Sequence, residues 1–84
     1  MKSAEEFREI VRRAVADTLR RKEPILDGQR LTADLGAESI DRIDLTFRLE
    51  EAVQKALDEK VLLAEPEPTV AELAERLQRM VEGR

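Results

Sequence analysis

Two segments of the chain begin with a side-chain pattern that starts helices. Ser3 and Thr69 are each followed three residues later by a glutamate, Glu6 and Glu72, which is the spacing of a capping box. Apolar residues then recur at helical spacing in both segments. They are Phe7, Ile10, Val11, Ala14, Val15 and Leu19 in the first, and Val70, Leu73, Leu77, Met80 and Val81 in the last. The pattern predicts an amphipathic helix near each end of the chain.

The ends of these two helices are predicted from residues that stop helices. Pro24 disfavours the helical conformation at the residue before it, so the first helix is expected to end there. The basic residues at 20–22 suit the negative end of the helix dipole and are expected in the last turn. Gly83 is a natural stop for the last helix.

A third amphipathic helix is predicted over residues 40–57, which contain neither Gly nor Pro. At roughly 100° per residue its apolar side chains fall on two opposite faces. The longer face is predicted to enter the core, and comprises Leu45, Leu49, Ala52, Val53 and Ala56. Ile40, Ile43 and Phe47 are then left partly exposed, unless the long loop or another helix covers them. Arg42 lies near the edge of the longer face, and its charged end is expected to reach solvent.

The connecting segments are less regular. Residues 24–38 are predicted to form a long loop held by Ile25, Leu26, Leu31 and Leu35. Residues 58–68 fit either one helical turn or an extended stretch, and the extended stretch is favoured because two prolines follow the apolar residues. The chain is therefore predicted to be all-α: a single domain, residues 1–84, with three main helices and a short or irregular third segment.

Composition excludes several classes of function. The chain has no His and no Cys, so serine–histidine catalysis, disulfides and thiol chemistry have no side chains to work with. Lys55 and Lys60 show no arrangement that pairs either with a serine, and no cluster of ligands resembles a metal site. We expect a non-enzyme without a metal. With no membrane-length apolar run and no signal-peptide pattern, a monomeric cytoplasmic protein without membrane insertion is expected.

The negative charge is concentrated in one part of the chain. Residues 34–59 carry a net charge of −5, whereas the whole chain carries −4. Such a region repels nucleic acid and attracts basic enzyme surfaces, although a solvated helix face is the commoner explanation.

Ser39 lies at the start of the central helix, within Asp34-Leu35-Gly36-Ala37-Glu38-Ser39-Ile40-Asp41. Gly36 lets the preceding loop turn tightly. The unpaired N–H groups and dipole of a helix start suit an anion, such as a phosphodiester on Ser39. The alternative is that Ser39 is an ordinary N-cap.

This octet closely resembles the attachment motif of acyl carrier proteins, D-L-G-x-D-S-L-D, and the order of predicted helices is also similar to that family. The resemblance implies an acyl-carrier-like bundle in which Ser39 carries 4′-phosphopantetheine, transferred from coenzyme A by a phosphopantetheinyl transferase. The thiol of that arm would hold acyl groups as thioesters for fatty-acid, polyketide or related lipid synthesis. Acyl-transferring or synthase enzymes are the other implied partners.

Three residues depart from the family pattern. Glu38 stands where the family usually has Asp, and Arg42 and Arg48 interrupt a helix that is more uniformly acidic in fatty-acid carriers, which suggests a specialised pathway. The predicted partner-binding residues are Glu38, Ile40, Asp41, Ile43, Asp44, Phe47, Glu50 and Glu51. The alternative function is an unmodified helical interaction module in which Ser39 only caps its helix.

Overall fold

The computed structural model describes residues 2–83 and contains four helices within them. In chain order these are α1 (Ala4–Leu19), α2 (Ser39–Val53), α3 (Glu59–Leu62) and α4 (Val70–Glu82). α1 packs against both α2 and α4, and α3 contacts α2 and α4. Over the described residues the only β feature is an isolated bridge between Arg30 and Thr69. The predicted all-α, acyl-carrier-like bundle is confirmed.

Both predicted capping boxes are present. The Ser3 hydroxyl accepts a hydrogen bond from the Glu6 N–H at 3.1 Å, and the Glu6 carboxylate accepts one from the Ser3 N–H at 2.9 Å. Thr69 and Glu72 do the same at the start of α4, at 3.2 and 2.8 Å. Accepting the backbone N–H of the cap residue lowers the pKa of both glutamates below the ordinary value.

α1 ends earlier than Pro24, so the predicted end is wrong. The helix ends at Leu19, because Arg20 adopts the left-handed conformation with φ 55° and its N–H donates to the Ala16 carbonyl. The basic residues at 20–22 therefore follow the last turn instead of forming it. Gly83, in contrast, ends α4 as predicted, with φ 76°.

α2 also ends before its predicted limit at Leu57. Gln54 is left-handed, with φ 53°, and stops the helix at Val53. The chain then turns so that the Leu57 N–H donates to the Glu50 carboxylate at 2.7 Å. Arg20 and Gln54 are not glycines, so no sequence signal marks either end.

The core lies where α1, α2 and α4 meet, with loop residues closing one end. Its least exposed members are Phe7, Val11, Val15, Leu31, Leu45, Leu49, Leu62, Val70, Leu73, Ala74 and Leu77. Of the predicted loop anchors, Ile25, Leu31 and Leu35 are buried, whereas Leu26 is 60% exposed and that prediction is wrong. Ala52 and Ala56, which were predicted on the core face of α2, are also exposed, so that part of the prediction is wrong; Ala56 lies beyond the end of the helix at Val53.

α3 is a single helical turn, so the favoured extended stretch is wrong. Arginines from two other helices hold its C-terminal carbonyls. Arg42 of α2 donates to the Leu63 carbonyl at 3.1 Å, and Arg76 of α4 donates to the Leu62 and Ala64 carbonyls at 3.1 and 2.9 Å. The prediction that Arg42 reaches solvent is therefore wrong as well, since its guanidinium satisfies the backbone of a neighbouring element.

The loop between α1 and α2 forms hydrogen bonds with both α1 and α4. Arg12 donates to Asp27 in the loop at 2.7 Å and also to Glu5 at 2.6 Å. These carboxylates raise the pKa of Arg12. The Asp27 carbonyl accepts the Ala71 N–H at 3.0 Å, at the start of α4. A loop held at two points delivers residue 39 to a defined place.

Candidate functional site

The residues before Ser39 fix where α2 begins. Gly36 has φ 72°, a conformation that a side chain would strain, although there is open space around its Cα. Ala37 is buried, and its N–H donates to the Leu31 carbonyl at 2.9 Å. Glu38 is then extended, with φ −102° and ψ 174°. Ser39 is consequently the first helical residue of α2.

Ser39 is not the N-cap, so the alternative prediction of a capping serine is wrong. Glu38 occupies the cap position, and its N–H donates to the Asp41 carboxylate at 2.9 Å. The Ser39 side chain is exposed, and it forms no hydrogen bond with any residue between 2 and 83. Its hydroxyl is therefore available for a covalent attachment.

The start of α2 suits a phosphodiester on that hydroxyl. Neither the Ser39 N–H nor the Ile40 N–H has a backbone partner in the described part of the chain. The aligned peptide dipoles of a 15-residue helix place partial positive charge at this end. An exposed hydroxyl beside unpaired N–H groups fits a negatively charged substituent.

A groove runs beside Ser39, between the C-terminal end of α1, the loop and the first turns of α2. Glu38 and Ile40, on either side of Ser39, both line it. We call it the serine groove; its volume is about 770 Å³, and its other lining residues are Asp17, Thr18, Leu19, Arg20, Arg21, Leu35, Gly36, Asp41, Asp44 and Arg48. Both acidic and basic side chains line its walls, and it is polar and open to solvent.

A much smaller space lies deeper between α1 and α2. We call it the inner cleft; it is lined by Val15, Thr18, Leu19, Leu31, Ala37, Asp41, Arg42 and Leu45, and its volume is about 10 Å³. Three of these residues, Thr18, Leu19 and Asp41, also line the serine groove. The two spaces therefore adjoin.

The second apolar face of α2 is exposed. Ile40, Ile43 and Phe47 are 70%, 48% and 61% exposed, so the alternative that another segment covers them is wrong. Val61 of α3 is also exposed, at 56%, and the sequence analysis did not single it out. Val61 belongs to a run of four consecutive apolar residues, 61–64. Periodicity cannot predict which side chains of so short a run are exposed.

The acidic residues predicted to bind partners differ in their surroundings. Glu38 and Glu51 are exposed, and Asp41 and Asp44 are half-buried. The Glu50 carboxylate is occupied by the Leu57 N–H. All five acidic residues lie in α2 or at its N-cap, and the exposed apolar stripe of Ile40, Ile43 and Phe47 belongs to the same helix.

Arg48 adds a positive charge to this otherwise acidic group of residues. Its Nε donates to the Asp44 carboxylate at 2.9 Å, and this hydrogen bond raises the pKa of Arg48. The pair is exposed on both sides, so it contributes little to stability. It does place a cation among the acidic residues of α2.

Within residues 2–83 no cluster of three or more side chains is suited to hold a metal ion. None of the helices there has both the length and the apolar character needed to cross a membrane.

Comparison with known protein families adds one match. A family model described as "Phosphopantetheine attachment site" matches residues 9–77, which include all of α2 and α3. No curated protein matches the chain.

Proposed function

The chain belongs to the phosphopantetheine attachment-site family, whose domain is the site of covalent 4′-phosphopantetheine attachment, and we propose that Ser39 is the residue that carries this arm. The protein is a phosphopantetheine-dependent carrier. The bound arm supplies a terminal thiol, a group that the chain itself lacks because it has no cysteine. Ser39 supplies the anchor, and the start of α2 accommodates the phosphate.

The observation that carries the proposal is the contrast between the chain's two serines. Ser3 is held in a capping box, with its hydroxyl accepting the Glu6 N–H. Ser39 is exposed at the first position of a helix, with no side-chain partner among the described residues. Of the two hydroxyls, that of Ser39 can be esterified without removing a hydrogen bond that starts a helix.

The proposed cargo is an acyl group held as a thioester, in fatty-acid, polyketide or related lipid synthesis. Domains of this family are typically non-catalytic carriers. The absence of histidine from the sequence supports the same role, because Ser39 then has no imidazole to activate it as a nucleophile. We further propose that residues 1–84 act as one monomeric, cytoplasmic carrier domain.

The proposed partners are a phosphopantetheinyl transferase and enzymes that load or use the acyl group. Their docking surface is the exposed apolar stripe of α2 with the charged residues around it: Glu38, Ile40, Asp41, Ile43, Asp44, Phe47, Glu50 and Glu51. An apolar centre with a polar rim is the usual anatomy of a protein interface. The Asp44–Arg48 pair supports a specialised set of partners, because a uniformly basic enzyme surface would meet a cation there.

Intact-protein mass spectrometry tests the attachment. The purified protein is incubated with coenzyme A, Mg²⁺ and a broad-specificity phosphopantetheinyl transferase, in parallel with Ser39→Ala and Ser3→Ala. We expect the wild-type protein and Ser3→Ala to gain the mass of one phosphopantetheine, and Ser39→Ala to gain none. Ser3→Ala is the matched control because it removes the chain's other serine.

Glu38→Asp is included because carriers of this family usually have Asp at this position, next to the serine that the transferase modifies. If neither the wild-type protein nor Glu38→Asp gains mass while both are folded by circular dichroism, attachment at Ser39 is wrong and the unmodified interaction module is favoured. Loading of Ser39→Ala would also contradict the proposal, because it would place the arm on another residue.

A further inference from the structure

The turn that precedes Ser39 contains N–H groups that it cannot bond by itself. Over residues 31–35 the chain winds so that the Asp34 and Leu35 N–H groups both donate to the Arg30 carbonyl at 3.1 Å. The first N–H groups of a wound segment have no backbone carbonyl within it to bond, as at the start of a helix. Two carboxylates accept them here, one from the turn itself and one from a distant part of the chain.

The local carboxylate is that of Asp34, which accepts the Arg30 N–H at 2.7 Å. The distant one is that of Glu67. Its two oxygens accept the Thr32 N–H at 3.0 and 3.1 Å, and one of them also accepts the Ala33 N–H at 3.4 Å. Because the acceptor is ionised, these bonds are stronger than bonds between neutral groups. Glu67 therefore holds the turn from a position 35 residues beyond Thr32.

The backbone around Glu67 is itself fixed against the loop. The Glu67 carbonyl accepts a hydrogen bond from Arg30 Nε at 3.0 Å, and the Val70 N–H donates to the Gln29 carbonyl at 2.8 Å. Between these bonds, Thr69 pairs with Arg30 in the isolated bridge. Glu67 is thus bound to the loop through its backbone as well as its side chain, and its carboxylate has a defined direction.

The turn leads to Ser39 through backbone bonds that leave little freedom. The Gly36 N–H donates to the Thr32 carbonyl at 3.2 Å, and the Ala37 N–H donates to the Leu31 carbonyl at 2.9 Å. The residue after Ala37 is the N-cap of α2, and Ser39 follows it. A displacement of Thr32 is therefore passed through these bonds to the start of α2.

We propose that Glu67 is a positioning residue for the attachment reaction: by holding Thr32 and Ala33, its carboxylate fixes the place at which Ser39 meets the phosphopantetheinyl transferase. This inference rests on the proposed attachment at Ser39. Glu67 acts through the turn, since its carboxylate bonds to Thr32 and Ala33 and not to Ser39.

The chemistry of attachment explains why this placement matters. The Ser39 Oγ forms a bond to the phosphorus of coenzyme A that bears the pantetheine chain. The phosphoanhydride bond to the nucleotide breaks, the adenosine bisphosphate leaves, and a base of the transferase takes the hydroxyl proton. A misplacement of the hydroxyl by about 1 Å can cost about 100-fold in rate. Since Leu45 and Leu49 keep α2 packed in the core, binding of the carrier should change less than the rate of transfer.

Transferase kinetics with Glu67 variants test the inference. The initial rate at which the protein gains phosphopantetheine is followed by intact mass over a series of carrier concentrations, with coenzyme A and Mg²⁺ in excess. We expect Glu67→Ala to lower kcat about tenfold, with KM changed less than about twofold, because the hydroxyl is displaced while the docking surface is kept.

Two conservative variants separate the hydrogen bond from the charge. Glu67→Gln loses the charge but keeps an acceptor oxygen for the Thr32 N–H, and it should retain about half or more of the wild-type kcat. Glu67→Asp keeps the charge but withdraws the carboxylate by one methylene, and its kcat should fall about threefold or more. Glu67→Asp also provides the test if Glu67→Ala does not fold. Glu75→Ala is the matched control, because it removes a glutamate at an exposed position of α4.

Amide hydrogen exchange of the unloaded proteins reports on the turn directly. In Glu67→Ala and Glu67→Asp the Thr32 and Ala33 N–H groups should exchange about tenfold faster than in the wild-type protein, since they lose their acceptor. Circular dichroism should show the helices of both variants retained.

Three results would overturn the inference. If Thr32 and Ala33 exchange faster while kcat stays at the wild-type value, the turn does not position Ser39. If KM alone rises, Glu67 serves docking. If Glu67→Gln loses as much kcat as Glu67→Ala, the transferase responds to the charge. A wild-type protein that gains no mass contradicts the attachment at Ser39 itself, whereas equally fast loading of the wild-type protein and Glu67→Ala contradicts only the role of Glu67.

Discussion

The starts of α1 and α2 each have a serine, but the two serines occupy different positions relative to the helix start, one residue apart. Ser3 precedes α1 as its N-cap, with its side chain bonded to the Glu6 N–H. Ser39 is already inside α2, because Glu38 takes the cap position. A cap side chain turns back toward the helix, whereas the side chain of the first helical residue points outward. This shift of one residue distinguishes a serine that stabilises a helix from one that can carry a substituent.

The helices differ in a similar way, because one buries its apolar residues and another leaves part of them exposed. α4 buries Leu73 and Leu77 on its apolar face. α2 buries Leu49 but leaves Phe47 61% exposed, on the side that includes Ile40 and Ile43. Burying apolar surface stabilises the fold, and exposing it is tolerated where the surface serves another purpose. α1 and α4 thus form the support on which α2 presents Ser39 and its apolar stripe.

The largest expected effect separates the two faces of α2. Leu49→Ala should lower the free energy of unfolding by about 2 to 5 kcal/mol, because it leaves a cavity at a fully buried site. Phe47→Ala should change it by about 0.5 kcal/mol or less, because little apolar surface leaves the core. Urea unfolding followed by circular dichroism measures both. Similar losses in the two variants would mean that Phe47 is covered in solution, and the division between the faces of α2 would be wrong.

A smaller effect separates the two serines. Ser3→Ala should cost about 1 kcal/mol of folding stability, since it removes an N-cap hydrogen bond. Ser39→Ala should cost about 0.5 kcal/mol or less, since the Ser39 side chain has no partner to lose. The same urea titration of the unloaded proteins compares them. An equal cost for Ser39→Ala would show that Ser39 acts as a cap after all.

The smallest expected effect concerns pH. The hydrogen bonds of the capping boxes lower the pKa of Glu6 and Glu72 in the folded protein. A lowered folded pKa contributes stability that is present above the ordinary carboxyl pKa and is lost as the pH falls through the folded value. Glutamine can keep the cap hydrogen bond without titrating. The double variant Glu6→Gln, Glu72→Gln should therefore lose less stability on acidification than the wild-type protein.

Melting temperatures measured at a series of pH values from neutral into the acid range check this prediction, since the two carboxylates become protonated as the pH falls. Ser39→Ala serves as the control, because it removes no titrating group and should follow the wild-type curve. A double variant that is as sensitive to acid as the wild-type protein would mean that other carboxylates dominate the acid response.

Local sequence predicted the helix starts better than the helix ends. The capping boxes at Ser3 and Thr69 involve residues three apart, so their chemistry is readable from the chain alone. The ends of α1 and α2 are set by left-handed conformations at Arg20 and Gln54. Non-glycine residues adopt that conformation at a cost that the surrounding structure must offset. Neighbouring residues in the sequence do not reveal where that happens.

The surroundings of α2 were predicted in part. The exposure of Ile40, Ile43 and Phe47 follows from the angular spacing of a helix, and it is found in the structure. The bond between Arg42 and the Leu63 carbonyl joins residues 21 apart and has no local signal.

The amino-acid sequence by itself determined the number of main helices, the starts of α1 and α4, and the serine at which a substituent is expected, because each depends on residues within one or two helical turns. Only the tertiary structure decided that Ser39 lies inside α2, where the helices end, and that Arg42 bonds to the Leu63 carbonyl. These features depend on the packing of distant segments, which places backbone and side-chain groups together regardless of their separation along the chain.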